Sequence, residues 1–356
     1  MYMISSPPEW TSYKEAPISG NWFKRWLKSR FRFVDYPFLL AYRGYGNASE
    51  MVVQGHVFRG MALSKPRRRH SAWKNFIALI KMFMVRTVPE ANVEMKCGRQ
   101  HFTTTTNTNG FFEFKVANPG LSKGWHTFNL KLMDELVEGQ EEVKVRSEVL
   151  IEYDFEYGLI SDIDDTFLVS HVTKFIRKLY VLLTKNAETR KPVKGVVEFY
   201  RKLSKGVEAP TNPFFYVSSS EWNLYDFLIN FTRHHELPKG VLQLKEIKDS
   251  LMDFVRSGYG SHDHKRVKIE QIFKMYPEQS FILLGDNGQH DPNIYLNIAM
   301  AYPERVKAVY IRGVKRSHRK KADEVLEKIE DMGIPVLQFK RSAEASDHAR
   351  NLGFIV

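Results

Sequence analysis

Cysteine is almost absent. Cys97 stands alone among 356 residues, which excludes an internal disulfide and any cysteine-rich zinc site. A reducing compartment suits such a chain, so the cytoplasm is the expected location. Long hydrophobic runs are missing too. The longest apolar-rich stretch, Phe76 to Val85, is broken by Lys81 and is too short to cross a bilayer. Met1 to Glu15 is polar, contains Pro7-Pro8 and lacks the apolar centre of a signal peptide. Any membrane contact is therefore expected to be peripheral. No internal repeat, low-complexity stretch or His-Glu-x-x-His pattern occurs, so His262 and His290 read as polar loop residues rather than zinc ligands. Acidic residues fall short of basic ones, 41 against 53, for a net charge of +12. That excess fits an anionic partner such as a membrane surface, a nucleic acid or a phosphorylated substrate. It is equally compatible with a basic, solvated surface that binds nothing.

What is present suffices for two domains of ordinary globular composition, with 43% hydrophobic residues over this length. Residues 1–39 read as an amino-terminal extension. Residues 40–153 are β-rich, with short strands expected at Met51–Phe58, Asn92–Lys96, Phe111–Val116 and Trp125–Leu132 and a turn at Asn109-Gly110. A β-sandwich of immunoglobulin-like or transthyretin-like type is expected. A helical insertion interrupts it near 71–86, where Trp73, Phe76, Ile77, Ile80 and Met84 fall at helical spacing behind the basic run 65–70. Such a helix either packs its apolar stripe on the sandwich or lies on an anionic bilayer. Residues 21–30 have a similar aromatic-basic mixture.

From residue 154 to 342 strands alternate with helices. Strands are expected at 157–161, 214–217, 281–284, 306–311 and 336–339, and helices at 193–203, 222–233, 265–276 and around Ala322 to Met332, the last stopped by Gly333. Apolar strands alternating with helices predict an α/β domain with a mostly parallel sheet. Residues 343–356 read as a polar, partly ordered tail.

The chemistry concentrates at Asp162-Ile163-Asp164-Asp165-Thr166, directly after the apolar run Gly158-Leu159-Ile160. Asp162 and Asp164 are two residues apart at the end of a strand and so point the same way. Ligands of open α/β sheets bind at that edge. Two close carboxylates repel unless a cation or shared proton relieves them, which suits a divalent metal and a phosphate. Three more elements follow at later strand ends or helix starts: Ser218 with Ser219-Ser220, His264-Lys265, and Gly285-Asp286 with Asp291.

This order resembles the haloacid-dehalogenase-type phosphatase superfamily. The wording around the motifs is closer still. Ser161 to Thr166, Tyr216 to Trp222 and Gly285 to Tyr295 are similar to the App1-type phosphatidate phosphatase catalytic domain, known from fungi and widespread in bacteria. The similarity runs from about Tyr153 to Val314, and the β-rich part before it looks like the one that precedes this domain in bacterial members. The resemblance implies a Rossmann-like sheet and a set of roles that residue chemistry supports. Asp162 is the nucleophile and Asp164 the acid and base. Thr166 ties the loop. Ser218 donates to a phosphoryl oxygen and Lys265 adds positive charge, although Lys268 is close enough to be the motif lysine instead. Mg²⁺ is expected on Asp162, the Asp164 backbone carbonyl and Asp286, with Asp291 acting directly or through water. Asn287 stands where the family pattern leads one to expect serine. Segments 167–194 and 243–262 are expected as a cap and a mobile loop.

The implied activity is hydrolysis of phosphatidate to diacylglycerol and phosphate, with the basic surface holding the enzyme on anionic lipid. Two alternatives stand beside it. One is the same chemistry on a soluble phosphomonoester or a phosphoprotein. The other is a non-catalytic lipid- or nucleic-acid-binding protein using basic segments 65–70 and 315–321, which the intact motif residues disfavour.

Overall fold

A computed structural model describes residues 36–60, 86–163, 195–207, 211–245, 262–288 and 290–356. The basic run 65–70, the aromatic-basic stretch 21–30, the cap segment 167–194 and loop residues 246–261 lie outside the described residues, as does the helix expected near 71–86 apart from Arg86. The described residues form two compact units that part between Ile151 and Glu152. Among them, no helix is long and apolar enough to cross a membrane.

The first unit contains β1 (Tyr36–Ala41), β2 (Gly44–Gly46), β3 (Glu50–Gly60), β4 (Arg86–Thr87), β5 (Asn92–Cys97), β6 (Gln100–Thr105), β7 (Phe111–Ala117), β8 (Gly124–Leu132) and β9 (Lys144–Ile151). Pairing is antiparallel except between β2 and β9. The central strand is β3. It pairs with β7 along one edge and with β1, then β2, along the other. β2 hands the sheet on to β9, β8, β5 and β6. Alternation decides which residues go inward: Phe112 and Phe114 of β7 are buried, while Glu113 and Lys115 between and beyond them are exposed. They join Val53, Val93, Met95, Phe128, Leu130 and others in one apolar cluster fed by both groups of strands. The turn expected at Asn109-Gly110 is present. Gly110 takes a left-handed φ of 66°, and the Asn107 side chain accepts from the Asn109 and Phe111 amides. The unit begins earlier than the sequence suggests, because β1 starts at Tyr36, inside the segment read as an extension. Its alternating side chains bury Pro37, Leu39 and Ala41 against the core.

The second unit runs β10 (Gly158–Asp162), α1 (Val196–Lys205), β11 (Phe214–Glu221), α2 (Tyr225–His234), β12 (Val241–Lys245), α3 (His262–Met275), β13 (Phe281–Asp286), α4 (Asp291–Ala301), β14 (Val306–Arg312), α5 (Arg319–Glu330), β15 (Val336–Phe339) and α6 (Ser342–Asn351). Its six strands lie in the order β12-β11-β10-β13-β14-β15, with every described pair parallel. The two central strands, β10 and β13, are buried at every position, as strands covered on both faces must be. Helix α1 shows how the helices are set: Val196, Phe199, Tyr200 and Leu203 form its buried stripe. Gly333 (φ 79°) ends the segment after α5, as the sequence predicts.

Two sequence expectations are corrected here. The supposed polar tail contains α6, in which Ala345 and Ala349 are fully buried. Their methyls, one turn apart, form a stripe too small to register as hydrophobic periodicity. The Glu344 carboxylate accepts the Lys340 and Arg341 amides at the helix start. Second, Gln243 to Lys245 belong to β12 rather than to a loop. Gln243 is a buried polar residue within the strand.

Candidate active site

The strand order puts a reversal of direction between β10 and β13. From β10 the chain first builds outward through β11 and β12. It then returns to place β13, β14 and β15 on the other side. Where neighbouring connections leave in opposite directions, a crevice opens beyond the carboxyl ends of the strands. Asp162 ends β10 and Asp286 ends β13, so the two aspartates flank that crevice. Val217 of β11 is the register partner of Asp162, and Ser218 follows it. β11 continues to Glu221 beyond the expected strand end, with an irregular register near Val217.

Four of the sequence-predicted residues, Asp162, Lys265, Asp286 and Asp291, meet here. Asp162, Asp286 and Asp291 are buried, and each offers a carboxylate oxygen within 4.8 Å of the others. Lys265, in the first turn of α3, reaches Asp162 Oδ1 at 3.1 Å and Asp291 Oδ1 at 2.9 Å. Lys268 is equally buried, but Lys265 makes these two contacts, which favours it as the motif lysine. The other Asp291 oxygen accepts the Asp286 backbone amide at 3.2 Å, while Asp286 Oδ1 accepts the Gly288 amide at 2.5 Å. Asp291 thus braces both Lys265 and the turn that carries Asp286. Gly285 makes this possible: a Cβ there would lie 2.8 Å from Asp291 Oδ2 and 2.8 Å from Tyr295 Cε2. Ser218 is fully buried, and its Oγ accepts the Ser220 amide at 2.9 Å. Asp164 and Thr166 lie outside the described residues.

The donor set fits a hard divalent cation. It consists of carboxylate oxygens with no sulfur or imidazole among them. Three carboxylates crowd together in a buried pocket beside the Lys265 ammonium, and a dication would offset their mutual repulsion.

Several residues here were not singled out from the sequence. Ser161 Oγ donates to the Asp162 carbonyl at 2.9 Å and lies 3.0 Å from Tyr200 Oη. Burial holds the Tyr200 phenol well above its ordinary value; the Ser161 hydrogen bond opposes this and nearby Asp162 adds to it. Tyr295 donates to the Leu284 carbonyl at 2.8 Å, and burial, then Asp291, raises its phenol likewise. Arg312 ends β14 as the register partner of Asp286. Burial lowers its pKa, while Tyr200 and Asp286 pull it upward. Its place after an apolar strand was the available signal. Asn287 does more than replace a serine. Its Oδ1 accepts the Val314 and Lys315 amides, both at 2.8 Å, and its Nδ2 donates to the Lys315 carbonyl at 3.0 Å.

Comparison with known proteins agrees with this centre. Residues 157–313 match the family model described as the catalytic domain of phosphatidate phosphatase APP1. The phosphatidate phosphatase APP1 of Saccharomyces cerevisiae is 31% identical over 155 residues, which cover 44% of this chain and 25% of the yeast protein. An uncharacterized protein of Schizosaccharomyces pombe is 26% identical over 249 residues, 68% of this chain and 38% of the relative. The chain therefore spans well under half the length of these curated relatives. Among solved structures, a carbohydrate acetylesterase from Xanthomonas citri aligns over 90% of this chain and 75% of its own. Its identity is 11% and its TM-score 0.34, a likeness that carries no argument. The segment 157–313, which contains the aspartates and the lysine described above, is thus similar to the catalytic domain of phosphatidate phosphatase APP1.

Proposed function

We propose that the second unit is a haloacid-dehalogenase-like, Mg²⁺-dependent phosphatidate phosphatase, working through a phospho-aspartate on Asp162. The observation that carries this reading is the meeting of Asp162, Lys265, Asp286 and Asp291 at one sheet edge, inside the segment matched by the family model. An Asp162 oxygen attacks phosphorus and the bond from phosphorus to the glycerol oxygen breaks. The departing alkoxide takes a proton from the Asp164 carboxyl and leaves as diacylglycerol. Water then attacks the aspartyl-phosphate, gives its proton to Asp164, and releases inorganic phosphate and the free Asp162 carboxylate. Lys265 holds a positive charge beside the attacking carboxylate, where negative charge gathers in the transition state. Ser218 offers a hydroxyl to a phosphoryl oxygen, and Thr166 secures the nucleophile loop. Asp162, Asp286 and the Asp164 carbonyl would hold Mg²⁺, with Asp291 supporting them. When bound, the ion supplies charge neutralisation for a phosphoryl group approaching two carboxylates.

Phosphate release from phosphatidate in mixed micelles, with and without Mg²⁺, tests this reading. Asp162→Asn is expected to lower turnover about 10³-fold or more while leaving the melting curve in place. Acid-quenched parent enzyme should carry labelled phosphate on the Asp162 peptide. Undiminished turnover by the variant would overturn the assignment. A panel of soluble phosphomonoesters run alongside assigns the substrate class. Faster turnover there than on phosphatidate would move the reading to a soluble substrate.

A further inference from the structure

The carboxyl edge of the sheet does not end at Asp286. Beyond it, the segment after β14 reads Val314-Lys315-Arg316-Ser317-His318-Arg319-Lys320-Lys321. Arg316, Arg319, Lys320 and Lys321 are exposed, and Val314 presents an apolar side chain to solvent at 36% exposure. Lys340, the first residue past β15, joins the same edge. It is exposed, and a Cβ at Gly313 would meet its Cγ at 3.8 Å. Two acidic residues border this edge: Asp323 lies 3.9 Å from Arg319, one turn along α5, and Glu344 accepts the Lys340 amide while pairing with Arg341.

A run of charge is by default a solvated face, but this one is built onto the candidate active site. Asn287, the residue after Asp286, binds the backbone of Val314 and Lys315 through both ends of its side-chain amide. Lys315 Nζ donates to the Gly288 carbonyl at 2.8 Å, and His318 Nδ1 lies 2.9 Å from the Asn287 carbonyl. The basic segment is thereby held at a set distance from the aspartates.

We infer that this edge, 314–321 with Lys340, is the surface by which the protein docks on a bilayer containing anionic lipid. The inference rests on the reading of the site as a phosphatidate phosphatase, because a substrate anchored in a bilayer must be met by a face beside the catalytic carboxylates. Lysine and arginine at that face are attracted to the negative surface potential while their apolar stems lie against it. A nucleic acid would satisfy the charge alone. The segment has no Phe, Tyr or Trp on which bases would stack, whereas the exposed Val314 suits an interfacial contact.

Sedimentation of the full chain with vesicles tests the inference. The vesicles are phosphatidylcholine alone, or phosphatidylcholine with phosphatidylserine, so that binding is read without turnover. The parent should partition onto the phosphatidylserine vesicles and release with salt. The triple variant R316A/K320A/K321A, whose positions touch none of Asp162, Lys265, Asp286 and Asp291, should lose on the order of a hundredfold in partition. Its turnover of a short-chain, monomeric phosphatidate should equal that of the parent. Partition unchanged in the triple variant would overturn the inference. So would tighter binding of the parent to duplex oligonucleotides than to vesicles at the same ionic strength, or an equal loss of turnover on monomeric substrate. A parent that binds vesicles through these residues but hydrolyses no phosphatidate would instead defeat the catalytic reading and leave the docking surface standing.

Discussion

The two units bury polarity in different ways. Among its described residues, the first unit buries Gln54, His56 and Thr106 but no carboxylate or ammonium. The second buries Asp162, Asp286, Asp291, Lys265 and Lys268. In the first unit the buried polar groups are neutral and answered locally. Tyr42 Oη lies 2.7 Å from His56 Nδ1, and Thr106 Oγ1 donates to the Val88 carbonyl while accepting the Ala91 amide. Such groups cost little once hydrogen-bonded. In the second unit, Lys265 and the three aspartates meet at one edge, where each depends on the others to offset the loss of water. Stability alone does not call for that arrangement. It marks the second unit as the one that holds the candidate active site.

The sharpest way to break this contrast is Lys265→Met. It removes the ammonium that pairs with both Asp162 and Asp291, and is expected to cost the second unit about 3–5 kcal/mol. Calorimetry should show that unit's melting transition shifted down and the other unmoved; a variant melting like the parent would mean the charges do not depend on one another. Asn287→Ala should have a smaller effect. Stripping its amide from Val314 and Lys315 is expected to cost about 1–3 kcal/mol. Because the turn carrying Asp286 loosens, phosphate release should fall on the order of a hundredfold. The smallest effect belongs to the first unit and to pH. Burial lowers the His56 pKa from 6.5 to about 3, so the folded state keeps the ring neutral while the unfolded chain binds a proton. Stability from this group is complete above the unfolded value and is lost as pH falls below it. Between pH 7 and 5.5 the loss should be about 1 kcal/mol. A melting series on the parent and on His56→Gln measures it, the variant giving a flatter profile.

Much of the second unit was legible because its physics is local. Phe281 to Leu284 is a continuous apolar run, and a run of that kind between helical patterns has few other fates. Asp162 and Asp286 were found because each is an acid directly after such a run. Lys265 and Lys268 were harder to separate. They stand three residues apart on one helix face and are equally buried, so only the direction of α3 against β10 and α4 decides between them. Other features carried little local signal. α6 buries methyl groups rather than large side chains, and Gln243 interrupts the apolar pattern of β12. Asn287 acts through a segment that begins 27 residues later, and Arg312 matters only once β14 lies beside β13. Contacts between distant segments are set by strand order, which neither periodicity nor composition encodes.

That strand order also sets when the centre can exist. Its first carboxylate stands at position 162 and its second at 286, and they become neighbours only when β10 and β13 pair in parallel, with α1, β11, α2, β12 and α3 lying between them in the chain. Closing such a long stretch of chain is among the slower events in folding. A molecule still short of that step holds its acids apart, so the acidic pocket reports that the sheet is complete.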